Sequence, residues 1–340
     1  MLESRIETLG PLGHAPLRQG RSVRRTSSID VTWAEGYGSP GYFQGIGRDV
    51  YTDQPGSAPQ VLIEQRFAAL LSAEREIIEL STSPARSTVA ALVGLNAGSQ
   101  LRKTLNEALP EDRADSRPLY LLLDDLAGAS LVANWAWSRW EDDWLSHFVP
   151  VGDAEALAQR RERMTGVCTG FAEGSSALTD IRGQQGNARV VPGLANPDDP
   201  AGWHALPAHA GVNMRRARRI DVWREDGVIR IDAMFQDTAS TPGGERMAVH
   251  EYALQATAEQ GSGKLLLLAA QPRVLPYPEC PAAAGNIARL IGLPLASLRQ
   301  QVLVMLRREL GCTHLNDALR ALAEVPALIA GIDARQQPAS

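Results

Sequence analysis

Residues 24–31 of this chain, Arg24-Arg25-Thr26-Ser27-Ser28-Ile29-Asp30-Val31, return with modest change as Arg215-Arg216-Ala217-Arg218-Arg219-Ile220-Asp221-Val222. Further echoes follow in the same order. Leu62-Ile63-Glu64 falls where Val249-His250-Glu251 falls, and Glu79-Leu80-Ser81-Thr82-Ser83-Pro84 sits against Leu267-Leu268-Ala269-Ala270-Gln271-Pro272. Ala91-Leu92-Val93-Gly94 matches Arg289-Leu290-Ile291-Gly292, and Leu123-Asp124-Asp125 matches Leu315-Asn316-Asp317. Segments kept in order, with only short gaps between them, predict a duplicated unit. The fold available to one half is then constrained by the other. The halves differ in their ionisable groups: His250 aligns with Ile63, His314 with Leu122, and Cys280 with no cysteine.

The second half is the more regular. Arg218–Glu225 alternates apolar and polar residues and ends at Asp226-Gly227, a hairpin dipeptide. Val228–Asp237 alternates again and puts Asp237 at the end of an apolar face. Met247–Glu259 and Lys264–Ala270 complete four antiparallel strands. The period then changes, predicting helices over Pro281–Ile291, Leu295–Leu310 and Thr313–Ala330, with Thr313 as an N-cap and a bend near Pro326. The expected fold class is α+β, with two such units packed as one pseudo-symmetric body. The expected layout is a loose arm at 1–22, a first copy at 23–133, a Trp-rich helix and Gly/Pro-rich connector at 134–212, and a second copy at 213–333.

Charge and composition exclude several functions. The 34 basic and 39 acidic residues give a net charge of −5, which disfavours a nucleic-acid surface. Lys103 and Lys264 are the only lysines, which disfavours Schiff-base chemistry, and no phosphate-binding glycine loop or flavin motif is present. Three scattered cysteines fit a reducing cytoplasm better than a disulfide framework. No apolar run suggests a membrane span, and open sheet edges make a homodimer an expectation.

The candidate chemistry lies mainly in the second half. His250 is the first choice as a general base because imidazole titrates near neutral pH, and Tyr252 shares its face of the strand. His314, at the mouth of the last helix, and Asp237 are candidate acid or orienting groups. Arg273 is a candidate anion holder. Cys280, before Pro281 at a helix start, is a candidate nucleophile if the helix dipole ionises it, or else a small buried residue. Cys280, Cys312 and His314, with Cys168 or His250, form an alternative soft-metal set, although Cys-x-His is not a usual zinc spacing. Trp137, Trp140 and Trp144 share a face of the predicted helix. Trp137 and Trp140, with Trp203 and Tyr277, are candidate lining for an aromatic pocket, or ordinary core.

Trp203-His204, Met214-Arg215-Arg216, Val249-His250-Glu251-Tyr252, Leu275-Pro276-Tyr277-Pro278-Glu279-Cys280 and Gly311-Cys312-Thr313-His314-Leu315 recur in order in the bacterial family catalogued as domain of unknown function 2889. The chain resembles that family over roughly residues 203–330. The resemblance implies bacterial origin and an association with the breakdown of aromatic compounds. It assigns no reaction.

These readings lead to one principal expectation: a lyase without cofactor or metal that acts by acid–base chemistry on a small phenolic substrate, such as a lignin-derived compound. Such a substrate supplies its own electron sink, and release of formaldehyde by a retro-aldol step is within reach of proton transfer alone. The alternatives are a thioesterase-like or metal-dependent hydrolase using Cys280, Cys312 and His314, and a non-catalytic binder of small molecules.

Overall fold

The computed structural model describes residues 6–98, 100–147, 154–179 and 187–336. Parts of the expected arm and connector therefore lie outside the described residues. Among the described residues, nine strands form a single sheet: β1 (Ser22–Trp33), β2 (Gly41–Thr52), β3 (Gln60–Leu71), β4 (Ile77–Ser83), β5 (Arg189–Val191), β6 (Asn213–Glu225), β7 (Val228–Ser240), β8 (Arg246–Glu259) and β9 (Leu265–Val274). The order is β4-β3-β2-β1-β6-β7-β8-β5, and β9 also pairs with β8. The Asp226-Gly227 hairpin forms as expected, with positive φ at both residues (51° and 76°).

The two halves meet edge to edge. β1 and β6 run antiparallel from Ser22 opposite Trp223 to Thr32 opposite Asn213. This register sets Arg24 opposite Asp221 and Asp30 opposite Arg215. Because each arginine lies the same number of residues ahead of its aspartate, both pairs close at once. Nε of Arg24 is 2.5 Å from Asp221, and Nε of Arg215 is 2.5 Å from Asp30. All four side chains are buried. Removing one partner of such a pair costs about 3–5 kcal/mol, because it strands the other charge in the interior. The seam therefore has one strongly favoured register.

Residues directly opposite one another in an antiparallel pair share a face. One face carries Arg25, Arg216, Arg218, Phe235, Asp237, His250 and Tyr252, beneath the helices Pro118–Val132, Thr313–Arg320 and Val325–Gln336. The other carries Arg24, Arg215, Asp221 and Glu251, beneath residues 6–21 and the end of the connector. Gly128, inside the Pro118–Val132 helix, is a matter of space: a Cβ there would strike the Arg216 guanidinium and the Asp317 carboxylate.

Several expectations are corrected. The N-terminal segment is not loose from residue 6 onward. The amides of Leu9 and Gly10 donate to Pro272 and Arg273 on the edge strand β9, and Arg18 is buried against Asp199. The tryptophan segment is not one helix but two short 3-10 turns, Ala133–Arg139 and Trp144–His147. Cys280–Leu290 is 3-10 throughout, and the Leu295–Leu310 span breaks into a 3-10 turn, a helix over Leu298–Met305 and another 3-10 turn. The last span is Thr313–Arg320, a 3-10 turn, and Val325–Gln336; Cys312 rather than Thr313 occupies its N-cap position. Among the described residues, no helix is long and apolar enough to cross a membrane.

Candidate functional site

Strand register assembles the site. Asp237 on β7 lies opposite Arg216 on β6 and His250 on β8, so three polar side chains share one row under the helices. Immediately beyond, the ladder slips: Thr238 pairs with Ala248, leaving Val249 as the extra residue of a β-bulge. A bulge bends its strand and re-aims the neighbouring side chains. His314, the second residue of the Thr313–Arg320 helix, descends onto the same row. Its ring stacks on His250 with centroids 3.4 Å apart and planes 16° from parallel.

Asp237 is the hub. Its side chain is almost wholly buried and takes both ends of the Arg216 fork, Nε to Oδ1 at 2.8 Å and Nη2 to Oδ2 at 3.1 Å. Oδ2 also faces His250 Nδ1 at 3.3 Å and His314 Nε2 at 3.7 Å. Burial alone would raise the Asp237 pKa. The Arg216 charge and the contacts of His250 and His314 together outweigh it, so the carboxyl stays ionised far below the usual range. The imidazoles go the other way. Burial lowers the His250 pKa against the pull of Asp237, and burial together with His250 itself lowers His314 well below its ordinary value. Near neutral pH the pair is held as two neutral rings beside an ionised carboxylate.

That arrangement fixes what each ring can do. With Nδ1 turned to the carboxylate, His250 takes the tautomer that leaves Nε2 as a free base. His314 presents Nε2 to Asp237 and Nδ1 to Cys312 Sγ at 4.0 Å. His250 Nδ1 and His314 Nε2 are buried and lack a well-formed hydrogen bond. Asp237, His250 and His314 also form the one group among the described residues with donor atoms close enough for a metal ion, all within 4.8 Å of one another. Two features of the geometry weigh against metal. Arg216 already holds both carboxylate oxygens, and two nearly parallel stacked rings direct their lone pairs side by side rather than at one point.

Tyr252 lies two residues along the same strand face, with its hydroxyl buried. Burial and the thiols around it push its pKa well above the ordinary value, so it remains a proton donor. Cys168 and Cys280 both approach Gly170, where a side chain would collide with the Cys280 sulfur. Burial pushes the Cys280 thiol well up and Cys168 to about 11. The expected helix-dipole activation of Cys280 is therefore corrected. The segment it begins is a 3-10 turn, and burial outweighs any dipole. The Cys280, Cys312 and His314 metal set is corrected too, because those atoms do not reach a common ligand distance among the described residues.

Other expected site residues lie apart. Arg273 falls at a bulge of β9, donates to the Pro11 carbonyl at 3.2 Å, and acts on Glu251, on the face opposite His250. Trp137 packs edge-on against Trp33 and Tyr37. The Trp140 indole donates to the Ser240 carbonyl at 2.9 Å. Trp203 packs with Ala217 and Met234 on the far face, and Tyr277 packs against Phe171. The four aromatics expected to line one pocket thus occupy separate places.

Sequence reasoning missed the groups that poise the centre. Arg216 bridges Asp237 and Asp317, at 2.8 and 3.1 Å, and Arg218 grips Asp125 at 2.7 Å. A signal was present in the arginine-rich segment 215–219 and in Asp317. In the first half, Arg25, Asp49 and Ile63 lie opposite one another on β1, β2 and β3, a row with a buried ion pair and no imidazole.

The row that joins Arg216, Asp237, His250 and His314 falls inside a region that matches a known family. Residues 214–328 match the model of a family described as a protein of unknown function (DUF2889). The DUF2889 region includes the whole polar centre, Tyr252, Cys280 and Cys312, and leaves out β1–β4 and the connector. No curated protein and no solved structure matches the chain.

Proposed function

We propose that the chain is a lyase acting by proton transfer at the Asp237–His250–His314 centre on a small phenolic compound, with release of formaldehyde. The observation that carries the reading is the buried contact of His250 with a carboxylate that Arg216 keeps ionised. A neutral imidazole oriented by a fixed anion is a general base ready at neutral pH.

In the proposed reaction the substrate is a para-hydroxyphenyl compound with a benzylic leaving group and a neighbouring CH₂OH. Loss of the phenolic proton drives electrons through the ring, the benzylic bond breaks, and a quinone methide forms. His250 Nε2 then takes the proton of the CH₂OH oxygen. The carbon–carbon bond breaks, formaldehyde leaves, and the electron pair restores the aromatic phenolate as an alkene forms. Of the two protons lost, from phenol and alcohol, one goes to the departing leaving group and the other returns to the product phenolate, so no oxidant is needed. Tyr252, held protonated, donates to the phenolate. Asp237 stabilises the imidazolium, and His314, the more exposed ring with 12% of its side chain accessible, passes protons outward. His250→Ala lowers turnover by at least ~10²-fold on this reading; near-normal turnover would remove His250 from the mechanism.

A second reading rests on the convergence of Asp237 Oδ2, His250 Nδ1 and His314 Nε2, which resembles a two-histidine, one-carboxylate metal set. Elemental analysis of purified protein separates the two. Stoichiometric metal that is lost in His314→Ala favours a metal hydrolase or oxygenase over the lyase.

A further inference from the structure

A cleft of about 550 Å³ opens between the Leu101–Ala108 and Pro110–Ala114 helices of the first half and the 295–305 segment of the second. It lies away from the His250 row and shares no residue with it. Three guanidinium groups line it, those of Arg102, Arg113 and Arg299, and no carboxylate is among its described lining residues. Fully buried Tyr120 forms part of the wall, and Arg299 lies over its ring with Cζ 4.4 Å from the centroid.

The arginines here outnumber the carboxylates that answer them. Asp124 is shared between Arg102 and Arg320, and Glu324 between Arg25 and Arg299. Arg113 is exposed and makes no ion pair among the described residues. Most telling, Arg299 Nη1 is buried without a well-formed hydrogen bond among the described residues. A buried charged donor without an acceptor is costly, and such groups are normally satisfied by protein, water or ligand. The volume is that of a small-molecule site and far exceeds a single oxyanion.

We propose that this cleft binds a small organic anion, a carboxylate or phosphate ester, with its oxygens held by Arg299 Nη1 and Arg113 and its body filling the space beside Tyr120. Planar guanidinium forks suit both oxyanions, and their charge-assisted bonds are the strong ones. The proposal does not depend on the lyase reading, because its test is binding alone.

The test is calorimetric titration at fixed ionic strength with benzoate, phenyl phosphate and inorganic phosphate, on the full chain and on Arg113→Gln, Arg299→Gln and Arg163→Gln. Benzoate or phenyl phosphate should bind saturably at one site, more tightly than inorganic phosphate, and whichever is tighter identifies the oxyanion class. Arg113→Gln and Arg299→Gln should each weaken that binding roughly tenfold, while Arg163→Gln, outside the cleft, leaves it unchanged. If Arg299→Gln does not fold, exposed Arg113 decides alone. Absence of saturable binding by either organic anion, inorganic phosphate binding as tightly as phenyl phosphate, or unchanged affinity in Arg113→Gln each overturns the proposal.

Discussion

Three buried histidines that resist protonation make this fold sensitive to mild acid. His204 is the sharpest case. Its ring nitrogens sit 2.8 Å from Ser28 Oγ and 2.8 Å from Thr26 Oγ1, and burial, reinforced by Arg48 and Arg215, pushes its pKa to about 3. His314 is also held well below the ordinary 6.5, and His250 is lowered. As pH falls through 6.5 the unfolded chain takes up protons that the folded chain refuses, so stability falls; above 6.5 both states are neutral at these sites and stability is flat. Going from about pH 7.5 to 5.5 removes roughly 1.4 kcal/mol through His204 alone, and the lowered His314 and His250 act in the same direction. A typical folding free energy is only about 5–15 kcal/mol. Glu251 and Asp125, whose pKa values burial raises, act in the opposite direction, so the contrast between variants is the informative quantity. Urea unfolding of the wild type and His204→Gln at a series of pH values measures it. His204→Gln should lose about 1.4 kcal/mol of the acid sensitivity between those two pH values. Equal pH dependence in the two proteins would refute the claim that buried neutral His204 contributes it.

Other consequences follow from single contacts. Gly128→Ala forces a methyl group against Arg216 and Asp317 and should lower stability by about 1–3 kcal/mol in urea unfolding. Arg216→Met leaves Asp237 buried without its cation. It should cost about 3–5 kcal/mol, and its Asp237 should protonate at higher pH, read from carboxyl NMR shifts. Cys280 and Cys312, whose pKa values burial raises, should react with iodoacetamide in the folded protein far more slowly than a free thiol and at an ordinary rate once unfolded.

Much of the site's scaffold was legible because strand alternation is a strict rule. The parity that placed His250 and Tyr252 together, and Asp237 at the end of an apolar face, holds up to the bulge at Val249. The Asp226-Gly227 hairpin was legible for a local reason, a turn that demands positive φ twice. Arg273 escaped because β9 carries its own bulge: Val274 pairs with Glu251 and Pro272 with Tyr252, leaving Arg273 as the extra residue. The N-terminal segment looked loose from its glycines and prolines, yet it covers the open edge of β9, a need that composition does not reveal. The buried arginines were the largest omission. Arginine in a strand reads as solvent-facing until register supplies the carboxylate opposite, and that register is a tertiary property.

The most direct measurement is to incubate metal-depleted protein with a para-hydroxyphenyl compound bearing a benzylic ether and an adjacent CH₂OH, following formaldehyde and the conjugated alkene together. The account expects one formaldehyde per alkene, unaffected by chelators and abolished in His250→Ala. No formaldehyde from the wild-type chain, or formaldehyde only after metal is restored, would contradict it.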